Sequence, residues 1–168
     1  MQTIPFAFGF YGISYTQLRP SSNGYVIFGS TARGEDNAYY PSMALPDTTR
    51  PHAAAFVYNS DLYQRTTAGI CYATVGTAPN RRAVVEWLDT AMCCGDGGAQ
   101  HFTFELILNE SDGSMDFVYS TMTTAGTTAN FLVGVQNELA TVGSTFQYSA
   151  GGPPSRIMSN MSLHVTAL

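Results

Sequence analysis

Three histidines, His52, His101 and His164, are the side chains best placed by type to move protons near neutral pH, because imidazole titrates there. A serine or cysteine hydrolase would need one of them beside a nucleophile and an acid. The three fall in different strands or strand edges, and no Gly-x-Ser-x-Gly elbow surrounds any serine. Glycoside hydrolysis needs two carboxylates roughly 5 to 10 Å apart. Glu86, Glu105 and Asp89 are the acids that neighbouring strands could bring together. Outward acids on strands are ordinarily solvated or paired with cations such as Arg81 and Arg82, and that is the expectation for these. Neither pattern is a catalytic motif, so the chain is read as non-enzymatic.

Calcium prefers several hard oxygens from one flexible loop. Glu35, Asp36, Asn37 and Asp47 share one long irregular segment, and Asn59 and Asp61 form a second small polar group. A D-x-D-x-D-G spacing is missing, so simple loop solvation is the default and a structural calcium at Glu35, Asp36, Asp47 and Asp61 the alternative. No other cofactor is expected. Cys71, Cys93 and Cys94 make an odd count, which leaves at least one sulfur over or bonded outside the chain. Cys71 lies on the first strand of a hairpin and the Cys93-Cys94 pair just past the second, so a bridge from Cys71 to Cys93 or Cys94 is one expectation. Buried free thiols are the other. Tyr39, Tyr40, Tyr58 and Tyr63 lie in or beside loops, where a phenol ring can serve a protein interface or a flat sugar platform, the interface being favoured. Trp87 alternates with Val85 and is assigned to the core.

The elements that must hold these residues are strands. Apolar runs recur at short intervals between clusters of Gly, Pro, Asn, Asp and Ser, and no stretch keeps a helical period over ten residues. Phe6, Phe8 and Phe10 alternate in the opening strand, where Pro5 and Gly9 suggest an edge or a bulge. Ser21-Ser-Asn-Gly24 turns the chain into Tyr25-Val-Ile-Phe28. Residues 70–75 and 83–88 form a hairpin around Gly76, Pro79 and Asn80; its first strand is apolar on both faces and reads as central, with both faces wanting cover. Phe102, Phe104, Leu106 and Leu108 alternate cleanly, and Asp112-Gly113 marks the next hairpin turn. The pattern predicts an all-β chain, one antiparallel, jelly-roll-like β-sandwich domain of about ten strands over residues 1–168.

Charged residues are only 11% of the 168, against 45% hydrophobic, less than half the share of about 25% usual in soluble domains. A surface so poor in charge points to burial in an assembly or to a Thr/Gly-rich extracellular surface. Seven arginines, no lysine and a net charge of −5 exclude the basic footprint that nucleic-acid binding needs. No apolar run approaches the roughly 20 residues of a membrane span. The opening MQTIPFAFGF lacks a basic region followed by an apolar core, so no signal peptide is read there.

The order IPFAFGFYG, SSNGYVIFGS, ALP, GTAPNRRAVVEW, FELIL with DFVY, and FQYS resembles a β-sandwich accessory module of bacterial secreted and surface proteins, and is loosely similar to the extracellular nidogen-type domains. The resemblance spans essentially the whole chain. It implies a fold and a setting, an accessory extracellular domain without known catalysis, commonly beside proteases, repeats or adhesive modules. Phe56-Val-Tyr-Asn-Ser-Asp61 stands where the family tends to have a Trp-Asp-Asp-like run. Taken as a stand-alone copy beginning at Met1, the chain fits a virion component, so an extracellular surface or a virion is the expected location. The expected function is a non-catalytic structural or adhesive subunit that self-associates or packs on a partner surface through loops 34–51 and 91–100. A carbohydrate-binding module is the alternative, and a hydrolase with an unrecognised site comes third.

Overall fold

A computed structural model describes residues 1–30, 39, 41, 43–94, 99–123, 130–151 and 155–168, the side chains of 66–68 excepted. Among these residues there are eleven strands and no helix: β1 (Gln2–Phe10), β2 (Ile13–Ser21), β3 (Tyr25–Phe28), β4 (Ala54–Asn59), β5 (Leu62–Val75), β6 (Arg82–Met92), β7 (His101–Asn109), β8 (Met115–Thr123), β9 (Asn130–Gln136), β10 (Gly143–Ala150) and β11 (Met161–Val165). They form two antiparallel sheets in a β-sandwich, one in the order β1-β2-β3-β4-β9-β10 and one in the order β11-β8-β7-β6-β5.

The alternation read in the sequence sets the inner faces. Phe6, Phe8 and Phe10 are buried on β1, with a register shift between Thr3 and Phe8 where Pro5 sits. Phe102, Phe104, Leu106 and Leu108 are buried on β7, and Ala83, Val85 and Trp87 on β6. Trp87 stacks on Phe104 with ring centroids 5.0 Å apart. Two buried polar tips cross from the five-stranded sheet to the other. Trp87 Nε1 donates to the Ser21 carbonyl at 2.7 Å, and the Tyr119 hydroxyl donates to the Val57 carbonyl at 2.7 Å. Val57 lies within the register shift between Phe56 and Asn59 on β4.

The hairpin expected to be central lies at an edge. β5 is the last strand of its sheet, and Ile70 and Val75 keep 36% and 38% of their surface exposed. An apolar run on two faces suits a buried strand and an edge strand alike, and only the sheet order distinguishes them. β5 also begins at Leu62, earlier than the turn-rich composition of 60–68 suggests. β4, like β3 beside it, is buried on both faces, all six of its residues being covered. Its outward side chains Ala54 and Phe56 join Tyr25, Ile27, Leu132 and Leu45 in a second apolar cluster.

Residues 43–51 supply that cover. The Leu45 amide donates to Thr145 Oγ1 at 2.8 Å, the Asp47 amide to Gln136 Oε1 at 2.8 Å, and Gln136 Nε2 to the Asp47 and Pro51 carbonyls at 3.1 and 2.9 Å. Gly134 and Gly143 permit the approach, since a Cβ at either would come within 3.0 Å of Leu45. Residues 43–51, part of the expected contact loop 34–51, thus lie against β9 and β10 on one side and leave Met43 exposed; residues 31–38, 40 and 42 lie outside the described residues.

Tyr119→Phe keeps the ring in place and leaves the Val57 carbonyl without its buried donor. The expected loss is about 1–3 kcal/mol, seen as a lower urea midpoint at an unchanged slope.

Candidate functional site

The histidines are held by acids and carbonyls. His101 Nδ1 lies 2.6 Å from Asp89 Oδ1, and His164 Nδ1 2.7 Å from Asp116 Oδ1. His52 sits between two carbonyls, Nδ1 at 2.8 Å from Glu138 O and Nε2 at 3.3 Å from Thr48 O. Asp89 reaches His101 from a bulge in β6, where its φ of 49° lies in the left-handed region that short polar side chains tolerate. Among the described residues no hydroxyl or thiol completes either His–Asp pair as a nucleophile.

Glu86 and Glu105 do meet. They stand directly opposite each other on β6 and β7, on the outer face of the five-stranded sheet. Asp89 is turned away to His101. The expected pairing with arginine goes elsewhere, because Arg81 Nε and Nη2 donate to the two oxygens of Glu110 at 2.9 and 2.6 Å in a bidentate fork. That fork holds the Glu110 carboxyl down to about 2. Glu105 is displaced the other way: partial burial, and then the neighbouring Glu86, raise its pKa above the ordinary glutamate value. A reading by residue type missed this pair's isolation, since the missing information was register.

Of the calcium candidates, Glu35 and Asp36 lie outside the described residues. Asp47 and Asp61 are not brought together. Asp47 is buried, accepts from the Thr49 amide and hydroxyl at 2.8 and 2.7 Å, and lies 3.6 Å from Arg50 Nε, so it closes its own turn. Asp61 lies at the far end of β9, in a corner with Cys93 and Cys94 whose sulfurs and its carboxylate are within 4.8 Å of one another. Two sulfurs beside one carboxylate are not the hard-oxygen set that calcium takes.

The bridge expected from Cys71 is not formed: Cys93 is bonded to Cys94, and Cys71 is a free, exposed thiol. Register is the reason. Cys71 stands opposite Glu86, seven residues before Cys93, while Leu62 stands opposite Met92. At about 3.3 Å per residue the two cysteines are roughly 20 Å apart along the sheet, far beyond disulfide reach.

The tyrosine candidates separate by burial. Tyr58 is corrected: it is fully buried on β4, in the core between the sheets, stacked on Phe131 at 5.0 Å and packed against Phe102 and Phe104. Burial pushes its hydroxyl well above the usual phenol range. Tyr39 and Tyr63 are exposed at 42% and 37%, Tyr63 from the start of β5. Tyr40 lies outside the described residues. A feature with no signal in the sequence is a cavity of 560 Å³ between the edge strands β10 and β11, lined by Phe117, Val135, Phe146, Leu163 and Val165 with His164 at its wall.

Iodoacetamide applied to the native chain without reductant is expected to label Cys71 alone, and all three cysteines after reduction and unfolding, as read by intact mass. For Glu105 the raised pKa means that the folded chain holds its proton more tightly than the unfolded chain. That stability is fully present below the unfolded value of about 4.3 and is lost as pH rises through the folded value. Glu105→Gln is therefore expected to melt higher than the wild type at pH 7, with the difference closing towards pH 4.

No curated protein and no solved structure matches the chain. The family described as NIDO related matches residues 1–165, the full length of the two sheets. That family is not one of known enzymes and is of an extracellular type, and no helix among the described residues is long and apolar enough to cross a membrane. By that match the chain, a two-sheet sandwich from β1 to β11, belongs to the NIDO-related family.

Proposed function

We propose that this chain is a non-catalytic structural or adhesive subunit that packs into an assembly or decorates a surface, on a virion or on the outside of a bacterial cell. The observation that carries this reading is a surface poor in charge and rich in large apolar side chains. Charged residues are 11% of the chain, while Met43, Leu139, Val142 and Met158 are exposed at 51 to 63%. A lone soluble chain ordinarily keeps mixed charge on its surface, and apolar exposure of this kind is relieved by contact with another protein. The family match supports an extracellular setting. Few charges need to be desolvated when such a surface is covered, so shape and apolar contact supply the binding.

A carbohydrate-binding role is the second reading, supported by the exposed rings of Tyr39 and Tyr63. Light scattering of the purified chain across a range of concentrations separates the two. A subunit is expected to show a mass above 18.1 kDa that grows with concentration or stops at a discrete oligomer. A mass fixed at the monomer would overturn self-assembly. A glycan array with Tyr39→Ala and Tyr63→Ala would then test the sugar reading, which requires loss of binding in at least one variant.

A further inference from the structure

The two sheets differ in how their outer faces are treated. Residues 43–51 pack on the outside of the six-stranded sheet, whereas the outer face of the five-stranded sheet shows a row of exposed or half-covered apolar side chains with charges on either side. Ala73, Val84 and Ile107 stand opposite one another across β5, β6 and β7 and form that row. Two residues to one side of Val84 along β6 is Arg82, which is exposed. Two residues to the other side is Glu86, with Glu105 opposite it. Among the described residues no side-chain hydrogen bond or ion pair engages Arg82, Glu86 or Glu105. Like charges opposite each other on adjacent strands are unfavourable, and among the described residues no cation relieves them.

This arrangement is self-complementary. A half-turn about an axis lying in the face and running across the strands along the Ala73–Val84–Ile107 row places β6 of one copy antiparallel over β6 of the next. Val84 then meets its own counterpart, and Arg82 falls over Glu86 at both ends, as an isologous contact requires. Resting on the assembly reading above, we propose that this face binds the same face of a second copy, with Val84 and Ile107 at its centre and Arg82 of each copy donating to Glu86 and Glu105 of the other. The guanidinium has five donors in a planar fork, enough to serve both carboxylates. Partial burial already weakens the hydration of Glu105, so covering it with a cation costs less than covering a fully solvated acid. His164 and Asp116, already paired with each other, lie on the same axis at the rim. Strands about 4.8 Å apart give a patch of roughly 400 Å² per copy, about half of a standard interface, so the contact belongs to the weak class.

Sedimentation equilibrium of the wild type, Arg82→Glu, Glu86→Arg and an equimolar mixture of the two variants, up to about millimolar concentration, tests the proposal. The wild type is expected to dimerise, and each variant alone to associate at least roughly tenfold more weakly because like charges then face each other. The mixture is expected to recover wild-type affinity, since in the mixed pair both contacts again join opposite charges. Recovery also shows that the variants fold. A wild-type oligomer that neither substitution disturbs would overturn this interface and leave the assembly reading standing. A wild-type chain that stays monomeric throughout would overturn both this interface and self-assembly.

Discussion

The structure depends on two hydrogen bonds set in an aromatic core. Trp87 and Tyr119 lie on neighbouring parts of the five-stranded sheet, carry large rings into the interior, and end in polar tips that reach carbonyls of the opposite sheet at 2.7 Å. A buried indole N–H or phenol O–H without an acceptor would cost more than the bond yields when made. The rings therefore admit few relative positions of the two sheets. Apolar packing brings the sheets together without direction, and these donors give the packing a register. The bulge at Val57 belongs to the same constraint, because the carbonyl that serves Tyr119 lies where the pairing of β4 with β9 shifts.

Once the sheets are placed, their outer faces follow different rules. The six-stranded sheet carries Tyr25, Ile27, Phe56 and Leu132 outward, too much apolar surface to leave in water, and residues 43–51 fold over it with Gln136 holding the backbone in place. The five-stranded sheet carries shorter aliphatic side chains outward, interleaved with Arg82, Glu86 and Glu105. Such a face tolerates water yet gains by being covered. In a chain this poor in charge, an acid pair without a cation is a place where a second surface has something to offer.

The chemistry-bearing residues illustrate how function classes separate on geometry. His101 and His164 each have their carboxylate, but these pairs are open to solvent rather than in the interior. Glu86 and Glu105 are adjacent, but on an open sheet face. The cavity between β10 and β11 is lined mainly by apolar side chains and takes only His164 from these groups. Among the described residues, these histidines and acids are thus spread over the surface and not gathered in one cleft.

What the sequence determined by itself is what depends on local period and local turns. The two-residue alternation of Phe6, Phe8 and Phe10, or of Phe102 to Leu108, places those side chains inward whichever strands lie beside them, and Asp112-Gly113 and Asn23-Gly24 set their turns by backbone preference alone. The all-β class and the buried Trp87 follow from the same signals. Tertiary structure decided everything that depends on which strand neighbours which. It made β5 an edge, which exposed Ile70, and turned Tyr58 of β4 into the core between the sheets. It put Glu86 against Glu105, gave Arg81 to Glu110, and held Cys71 out of reach of Cys93. The physical reason is that a strand's period states which side chains share a face, while register and sheet order, which arise from contacts between residues distant in the chain, state what that face meets.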